Sequence, residues 1–212
     1  MRKNMDHIER TIKSYEEMGE DYCDNTREGG DREFQEKMMD KTLNILKTNK
    51  PRIIDLGCGD GRDTAYFNEK GYDVTGIDLS KEMISIARKK NPDCAFLQMD
   101  MGDTVFPDNT FNCAWASASI IHIPKKELSH VEKEVYRILE PGSIFAFNFK
   151  IGEGEGYERT ETMEDRKRYF AYYTLEEMKN SLNLFDIVES KKCPTRVFDS
   201  EFMYCWARSR KK

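Results

Sequence analysis

The chain has 212 residues, a formal net charge of −5 and an isoelectric point near 5.4. That length suits one ordinary domain with a substantial core, and the acidic balance argues against a generic nucleic-acid footprint while leaving room for a local basic patch. The amino end is polar with no apolar signal segment, no run is long and apolar enough to span a membrane, and the six cysteines form no C-x-x-C pair, so a cytoplasmic, reducing setting is expected and a zinc site is not.

The first fifty residues read as polar helix, with Phe34, Met38, Met39, Leu43 and Leu46 at helical spacing until Pro51 stops the pattern. Residues 53–61 then read Ile-Ile-Asp-Leu-Gly-Cys-Gly-Asp-Gly, a short strand running into a tight turn. Glycines at 57, 59 and 61 give access to positive φ and let a ligand approach the backbone. The following Arg62-Asp63-Thr64-Ala65 opens a helix whose first N–H groups face an anion or carboxylate. The spacing G-x-G-x-G differs from the G-x-G-x-x-G of dinucleotide sites, and Asp55 in the strand would repel a pyrophosphate and welcome a cation. Taken alone, this segment is also compatible with a glycine turn that serves only the fold.

A helix ends at Lys70-Gly71, and Tyr72 to Asp78 is a second strand closing on a carboxylate. In doubly wound nucleotide-binding sheets an acid at this point accepts from ribose hydroxyls, which makes Asp78 the candidate for that role. Ser80 caps the next helix, whose apolar face is Met83, Ile84 and Ala87. A third strand, Cys94 to Gln98, leads to Met99-Asp100-Met101. Phe111 to Ala116 reads as a fourth strand, Leu128, Val131, Val135 and Ile138 as one helical face, Pro141-Gly142 as a turn, and Ser143 to Phe149 as a buried fifth strand. Between residues 151 and 173, alternating glycines at 152, 154 and 156 suggest a mobile loop; the aromatics that end it either wall a pocket or anchor the loop to the core. Thr174-Leu175-Glu176-Glu177 is a capping box that opens a helix carrying Leu175, Met178 and Leu182. The last strands, Phe185 to Glu189 and Glu201 to Ala207, are too close in sequence for a crossover helix and should pair antiparallel.

The glycine turn, followed by acids at the ends of the next strands, resembles the cofactor motifs of class I S-adenosylmethionine-dependent methyltransferases. Trp115-Ala116-Ser117-Ala118-Ser119-Ile120-Ile121-His122-Ile123-Pro124 is similar to the fourth-strand motif of the small bacterial type 11 and type 25 methyltransferase-domain groups, and the resemblance runs from Tyr15 to the carboxyl end. It implies an α/β, Rossmann-like fold: a doubly wound seven-stranded sheet in the order 3-2-1-4-5-7-6 with strand 7 antiparallel. It further implies one methyltransferase domain over 1–212. Residues 1–50 would form a helical lid, 51–150 the cofactor-binding core, 151–173 an acceptor-side insertion, and 174–212 the last helix and hairpin.

The implied cofactor is S-adenosyl-L-methionine, leaving S-adenosyl-L-homocysteine as product, with no metal. By position the resemblance assigns to it Tyr15, Tyr22, Asp55, Gly57, Cys58, Gly59, Gly61, Arg62, Asp78, Leu79, Met83, Asp100, Met101, Ala116 and Ser117. Ser119, Tyr157, Arg159, Arg168, Tyr172 and Tyr173 are the expected acceptor-side residues, the two arginines either binding an acidic acceptor or pairing with neighbouring glutamates. His122 is the candidate general base, its alternative being a hydrogen-bonded structural histidine. The expected activity is in-line methyl transfer to an oxygen or nitrogen of a small-molecule acceptor. A tRNA or protein methyltransferase, or a non-catalytic S-adenosylmethionine-binding module, would share the cofactor residues.

Overall fold

Apolar runs covered on both faces place five parallel strands at the centre of the molecule. β1 (Arg52–Leu56) lies between β2 (Asp73–Asp78) and β4 (Phe111–Ala116), with Ile53 paired to Val74 on one side and Cys113 on the other. β3 (Ala95–Gln98) extends the sheet beyond β2, and β5 (Leu139–Ile151) beyond β4. β9 (Phe202–Ser209) pairs antiparallel with β5, and β8 (Phe185–Lys192) antiparallel with β9. The computed structural model on which this rests describes residues 6–29, 32–46, 48, 51–159, 167–194 and 200–211. Taking β8 and β9 as the sixth and seventh strands recovers the expected order, but among the described residues the sheet has nine strands, not seven, and its order differs where two further strands join beside β5.

Two differences matter for the site. The segment expected as a mobile loop instead forms a hairpin of β6 (Glu155–Arg159) and β7 (Lys167–Tyr173), and Tyr172 and Tyr173 pair in parallel with Lys150 and Ile151 at the carboxyl end of β5. Arg-Tyr-Phe-Ala-Tyr-Tyr is rich in strand-favouring aromatics, and its burial against α1 and β5 outweighs the glycines that precede it. β5 also begins earlier than expected, running through Pro141 and Gly142, the latter at φ 72°.

The helices are α1 (Asp6–Gly29), α2 (Arg32–Ile45), α3 (Arg62–Glu69), α4 (Lys81–Lys90), α5 (Lys125–Ile138) and α6 (Leu175–Ser181). α2 buries Phe34, Met38, Met39 and Thr42, whose Oγ1 accepts the Trp206 indole N–H at 2.8 Å. α4 is capped by Ser80, whose Oγ accepts the Met83 N–H at 3.2 Å, and α6 by Thr174, whose Oγ1 accepts the Glu177 N–H at 3.0 Å. α1 is bent at Gly19, with φ 49° and ψ −133°, a conformation that disfavours any residue with a Cβ. Before the bend it sits on β7: Thr11 Oγ1 accepts the Tyr169 N–H at 3.1 Å, and Ser14 Oγ donates to the Lys167 carbonyl at 3.3 Å. After the bend it sits on α4, through the Lys89–Glu20 pair at 3.0 Å and Cys23 packed with Met83 and Ile86.

Candidate functional site

The carboxyl ends of β1, β2 and β4 open into a cavity of about 260 Å³, with the first half of α1 on one wall and the turn after β1 on another. The turn is held by the N–H groups of Gly57 and Cys58, which both donate to the Ile77 carbonyl, at 2.8 and 3.0 Å. Its glycines do different work. A Cβ on Gly57 would lie 2.4 Å from Ser119 Cβ, and one on Gly61 would lie 2.5 Å from the Phe96 ring, so both are demanded by close packing. A Cβ on Gly59, at φ 54°, would meet nothing within 4 Å, and Gly59 lines the cavity.

Four carboxylates line this cavity, Asp55, Asp60, Asp63 and Asp78, against the guanidinium groups of Arg32 and Arg62. Asp78 accepts the Gly59 N–H at 3.0 Å and the Ser80 N–H at 2.8 Å, tying the end of β2 to the glycine turn. Its burial raises its pKa against the pull of those two bonds. Asp55 accepts from Thr64 Oγ1 at 2.6 Å; burial first, and the charge of Asp63 second, push its carboxyl well above the usual range. A cation entering the cavity would relieve that cost. Asp63 accepts from Arg32 Nη1 at 2.8 Å, Gln35 Nε2 at 2.6 Å and Trp115 Nε1 at 2.9 Å, which anchors α2 to the start of α3.

Beyond β4 the wall becomes a polar network. Ser117 Oγ accepts from Gln35 Nε2 at 3.2 Å and Asn148 Nδ2 at 3.1 Å, and Asn148 Oδ1 accepts the Ala118 N–H at 2.7 Å. Ala118 has φ 51°, a left-handed conformation that an alanine adopts only under restraint from its surroundings. The next residue, Ser119, is buried, and its Oγ has no hydrogen-bond partner among the described residues. His122 follows, with Nδ1 2.7 Å from the Tyr169 carbonyl and Nε2 2.8 Å from the Tyr15 hydroxyl. A carbonyl only accepts, so the proton is on Nδ1 and Nε2 accepts from Tyr15. The Tyr15 oxygen in turn accepts from Arg168 Nη1 at 3.0 Å.

Burial, then the positive charge of Arg168, and then that of Lys150, outweigh the Tyr169 hydrogen bond and lower the His122 pKa to about 3. The imidazole is therefore neutral at pH 7 with its lone pair already occupied. Of the two readings open from sequence, a general base and a hydrogen-bonded structural histidine, this geometry is that of the second, a group that holds Tyr15. The unfolded chain takes up a proton near pH 6.5 and the folded chain does not, so the stability His122 contributes is fully present above that pH and falls as the pH drops towards 3. Between pH 6.5 and 5 the loss is about 2 kcal/mol at 1.36 kcal/mol per unit. Denaturant unfolding of wild type and His122→Asn should show their difference in stability shrinking by about that amount over this interval. A difference that stays constant with pH would contradict the neutral, buried imidazole.

Of the residues expected at the site, Tyr15, Asp55, Gly57, Cys58, Gly59, Arg62, Asp78, Leu79, Met83, Met101, Ser117, Ser119 and His122 line the cavity. Gly61 is not among them, lying under Phe96. Asp100 caps its own turn, accepting the Gly102 N–H at 2.8 Å, and Ala116 is enclosed within β4. Tyr157 stands outside, its hydroxyl 2.8 Å from His7 Nδ1. Arg168 lies behind Tyr15, Tyr172 packs against the core, and Tyr173 is buried in it. The side chains of Tyr22 and Arg159 lie outside the described residues. Arg32, Gln35, Asn148, Phe202 and Tyr204 line the cavity without having been singled out from sequence. Asn148 did carry a signal, as a polar residue in an otherwise apolar strand that the sheet buries on both faces.

Residues 53–142 match a family model described as a methyltransferase domain. A putative methyltransferase of Bacillus subtilis is 38% identical over 122 residues, covering 53% of this chain and 49% of the relative. A malonyl-[acyl-carrier protein] O-methyltransferase of Salmonella typhimurium is 30% identical over 115 residues, covering 54% of this chain and 45% of the relative. The chain thus spans about half the length of the curated relatives it matches. Among solved structures, a SAM-dependent methyltransferase of Methanosarcina mazei superposes with a TM-score of 0.72 at 22% identity, covering 80% of this chain and 97% of that one. The 1,6-didemethyltoxoflavin-N1-methyltransferase of Burkholderia thailandensis, solved with its acceptor and S-adenosylhomocysteine, superposes with a TM-score of 0.68 at 20% identity, covering 99% and 92%.

Proposed function

We propose that this chain, a class I S-adenosylmethionine-dependent methyltransferase, transfers the methyl group of S-adenosylmethionine to an oxygen or nitrogen atom of a small-molecule acceptor. The observation that carries the reading is the acid-lined cavity at the carboxyl ends of β1 and β2, where Asp78 meets the open face of Gly59. A wall with four carboxylates suits a ligand bearing an ammonium and a sulfonium and opposes a pyrophosphate. The cofactor supplies a methyl group on an activated sulfonium leaving group; the chain's residues supply position and dryness.

In this reading Asp78 takes the ribose hydroxyls, while Leu79, Met83, Met99 and Met101 provide apolar contacts for the adenine. Asp55 faces the ammonium, which restores its charge, and Arg32 reaches the cofactor's carboxylate while keeping Asp63. Ser117, Ala118 and Ser119 lie beside the methyl group, and the wall of Tyr15 and His122 receives the acceptor. Asp60, also on the wall, pairs with Lys90, whose Nζ is 3.6 Å from its carboxylate. The segment to residue 50 then acts as lid, 51–150 as cofactor core, 151–173 as acceptor-side roof and 174–212 as the closing helix and hairpin. Among the described residues no helix is long and apolar enough to cross a membrane, and the free cysteines accord with a reducing cytoplasm.

Screening metabolite pools for acceptor-dependent release of S-adenosylhomocysteine tests the activity. A protein that binds the cofactor and releases no product with any pool would favour a binding module instead. The lid has its own expected result. Amides of residues 7–18 and 167–173 should exchange hydrogen more slowly once S-adenosylhomocysteine is added, with little change in β1, β4 and β5, if the first half of α1, bent off at Gly19 and bonded to β7, closes as one body with it. Exchange that is indifferent to ligand in both segments would make α1 and the hairpin a fixed wall.

A further inference from the structure

The loop leaving β4 is held in a conformation that its sequence does not favour. Ala118 has φ 51°, and a left-handed alanine persists only where its surroundings over-determine it. The restraint is Asn148, 3% exposed on β5. The Ala118 N–H can only donate, so the atom that faces it at 2.7 Å is Oδ1, and the other end of the amide, Nδ2, donates to Ser117 Oγ at 3.1 Å. One side chain thus ties down both residues that precede Ser119. Gln35 Nε2 donates to the same Ser117 oxygen at 3.2 Å and to Asp63 at 2.6 Å, which braces the clamp on α2.

The clamp decides where Ser119 stands. Its Cβ lies 2.4 Å from the place a Cβ on Gly57 would take, so Ser119 fills the room which that glycine leaves free, with Met101 Cε 3.5 Å from the same point. Ser119 is 8% exposed and lines the cavity, and its Oγ has no hydrogen-bond partner among the described residues. A buried hydroxyl without a partner is costly unless a ligand completes it. Sequence position put Ser119 on the acceptor side; its contact with Gly57 puts it at the glycine turn. Gly57 follows Asp55 by two residues, and in the methyltransferase reading, on which this inference rests, Asp55 faces the ammonium of the cofactor.

We propose that Ser119 Oγ is a ligand of the amino-acid half of S-adenosylmethionine, and that Asn148 is a positioning residue which aims it there by holding Ala118 left-handed. The hydroxyl can donate to the carboxylate of that half or accept from its ammonium; either bond is charge-assisted and completes the Ser119 oxygen. Asn148 acts through the backbone of Ala118 and the Ser117 hydroxyl. Without it, Ala118 relaxes towards the right-handed or extended regions and carries Ser119 off the glycine turn.

Calorimetric titration of the purified full chain with S-adenosylhomocysteine and with 5′-methylthioadenosine tests this, because the second probe keeps the nucleoside and the sulfur and lacks the ammonium and the carboxylate. Ser119→Ala should bind S-adenosylhomocysteine about tenfold more weakly, the scale of a lost bond to a charged group, with 5′-methylthioadenosine changed by less than about twofold and the ligand-free melt no lower. Asn148→Leu should repeat that selective loss, and adding Ser119→Ala to it should cost less than about a further twofold, because two changes on one path do not add. Adding Ala118→Gly to Asn148→Leu should restore most of the affinity, since glycine keeps φ 51° without a clamp; this pair also carries the test where Asn148→Leu alone is too unstable to titrate. A Ser119→Ala protein that binds S-adenosylhomocysteine as wild type does, or that weakens both probes alike, would overturn the contact. Additive losses, or no recovery with glycine, would overturn the positioning role of Asn148. A wild type that binds neither probe would count instead against the underlying methyltransferase reading.

Discussion

Replacing Gly59 with valine is expected to abolish the binding of S-adenosylmethionine and S-adenosylhomocysteine while the fold survives. Its Cβ would project into open cavity with no protein atom within 4 Å. The cost to the fold comes from φ 54°, where a residue with a Cβ loses about 1–2 kcal/mol, and this is a modest share of the roughly 5–15 kcal/mol that holds an ordinary domain together. The branched side chain would occupy the space beside the Asp78–Gly59 hydrogen bond, where the proposed reading puts the cofactor. Calorimetric titration should show affinity down by about a hundredfold or more, equivalent to about 2.8 kcal/mol, with a thermal melt that remains cooperative. Gly57 behaves oppositely, since any side chain there runs into Ser119 and the damage falls on the fold. A Gly59→Val protein that binds as wild type would leave the glycine with turn geometry as its only duty.

Asp78→Ala is expected to weaken S-adenosylhomocysteine by about 1–3 kcal/mol, or about ten- to a hundredfold, the range for charge-assisted hydrogen bonds removed from a buried site. The carboxylate also binds the Gly59 and Ser80 N–H groups, so part of the loss would be a loosened turn. Asp78→Asn separates the two effects. It keeps one oxygen for a backbone N–H and gives up the charge and the second acceptor, and it should lie between alanine and wild type in affinity while melting closer to wild type. Equal affinity in all three proteins would take Asp78 out of ribose recognition.

The strands β1, β2, β4 and β5 were legible because a parallel sheet covered on both faces writes itself as short apolar runs, each ended by a turn. Ile53-Ile54 and Ala114-Trp115 are of this kind. The β6–β7 hairpin was not, because glycines at 152, 154 and 156 are a local loop signal, while the force that orders the segment is tertiary, from Thr11, Ser14 and Tyr15 of a helix more than 150 positions away in sequence. The acids of the glycine turn could be read by position. Asp100 shows the limit of that method: position put it at the end of β3, yet its side chain folds back onto Gly102. Arg32 and Gln35 were hidden for another reason. They share one face of α2 at a spacing of three, but a helix read for its apolar stripe gives no hint of where its polar face will be anchored, and Asp63 is what anchors it. His122 was found with both its readings open, because the fall of its pKa comes first from burial and then from Arg168 and Lys150 arriving from β7 and β5, all of them tertiary.

The claim that the cavity at the ends of β1, β2 and β4 accepts S-adenosylmethionine is tested most directly by isothermal titration of the purified chain with S-adenosylhomocysteine and, separately, with a nicotinamide dinucleotide. The account predicts saturable one-to-one binding of S-adenosylhomocysteine that is lost in Gly59→Val, and no binding of the dinucleotide at the same concentrations, because the buried Asp55 and the partly buried Asp78 on the cavity wall disfavour a pyrophosphate beside them. Tighter binding of the dinucleotide, with S-adenosylhomocysteine silent, would contradict it.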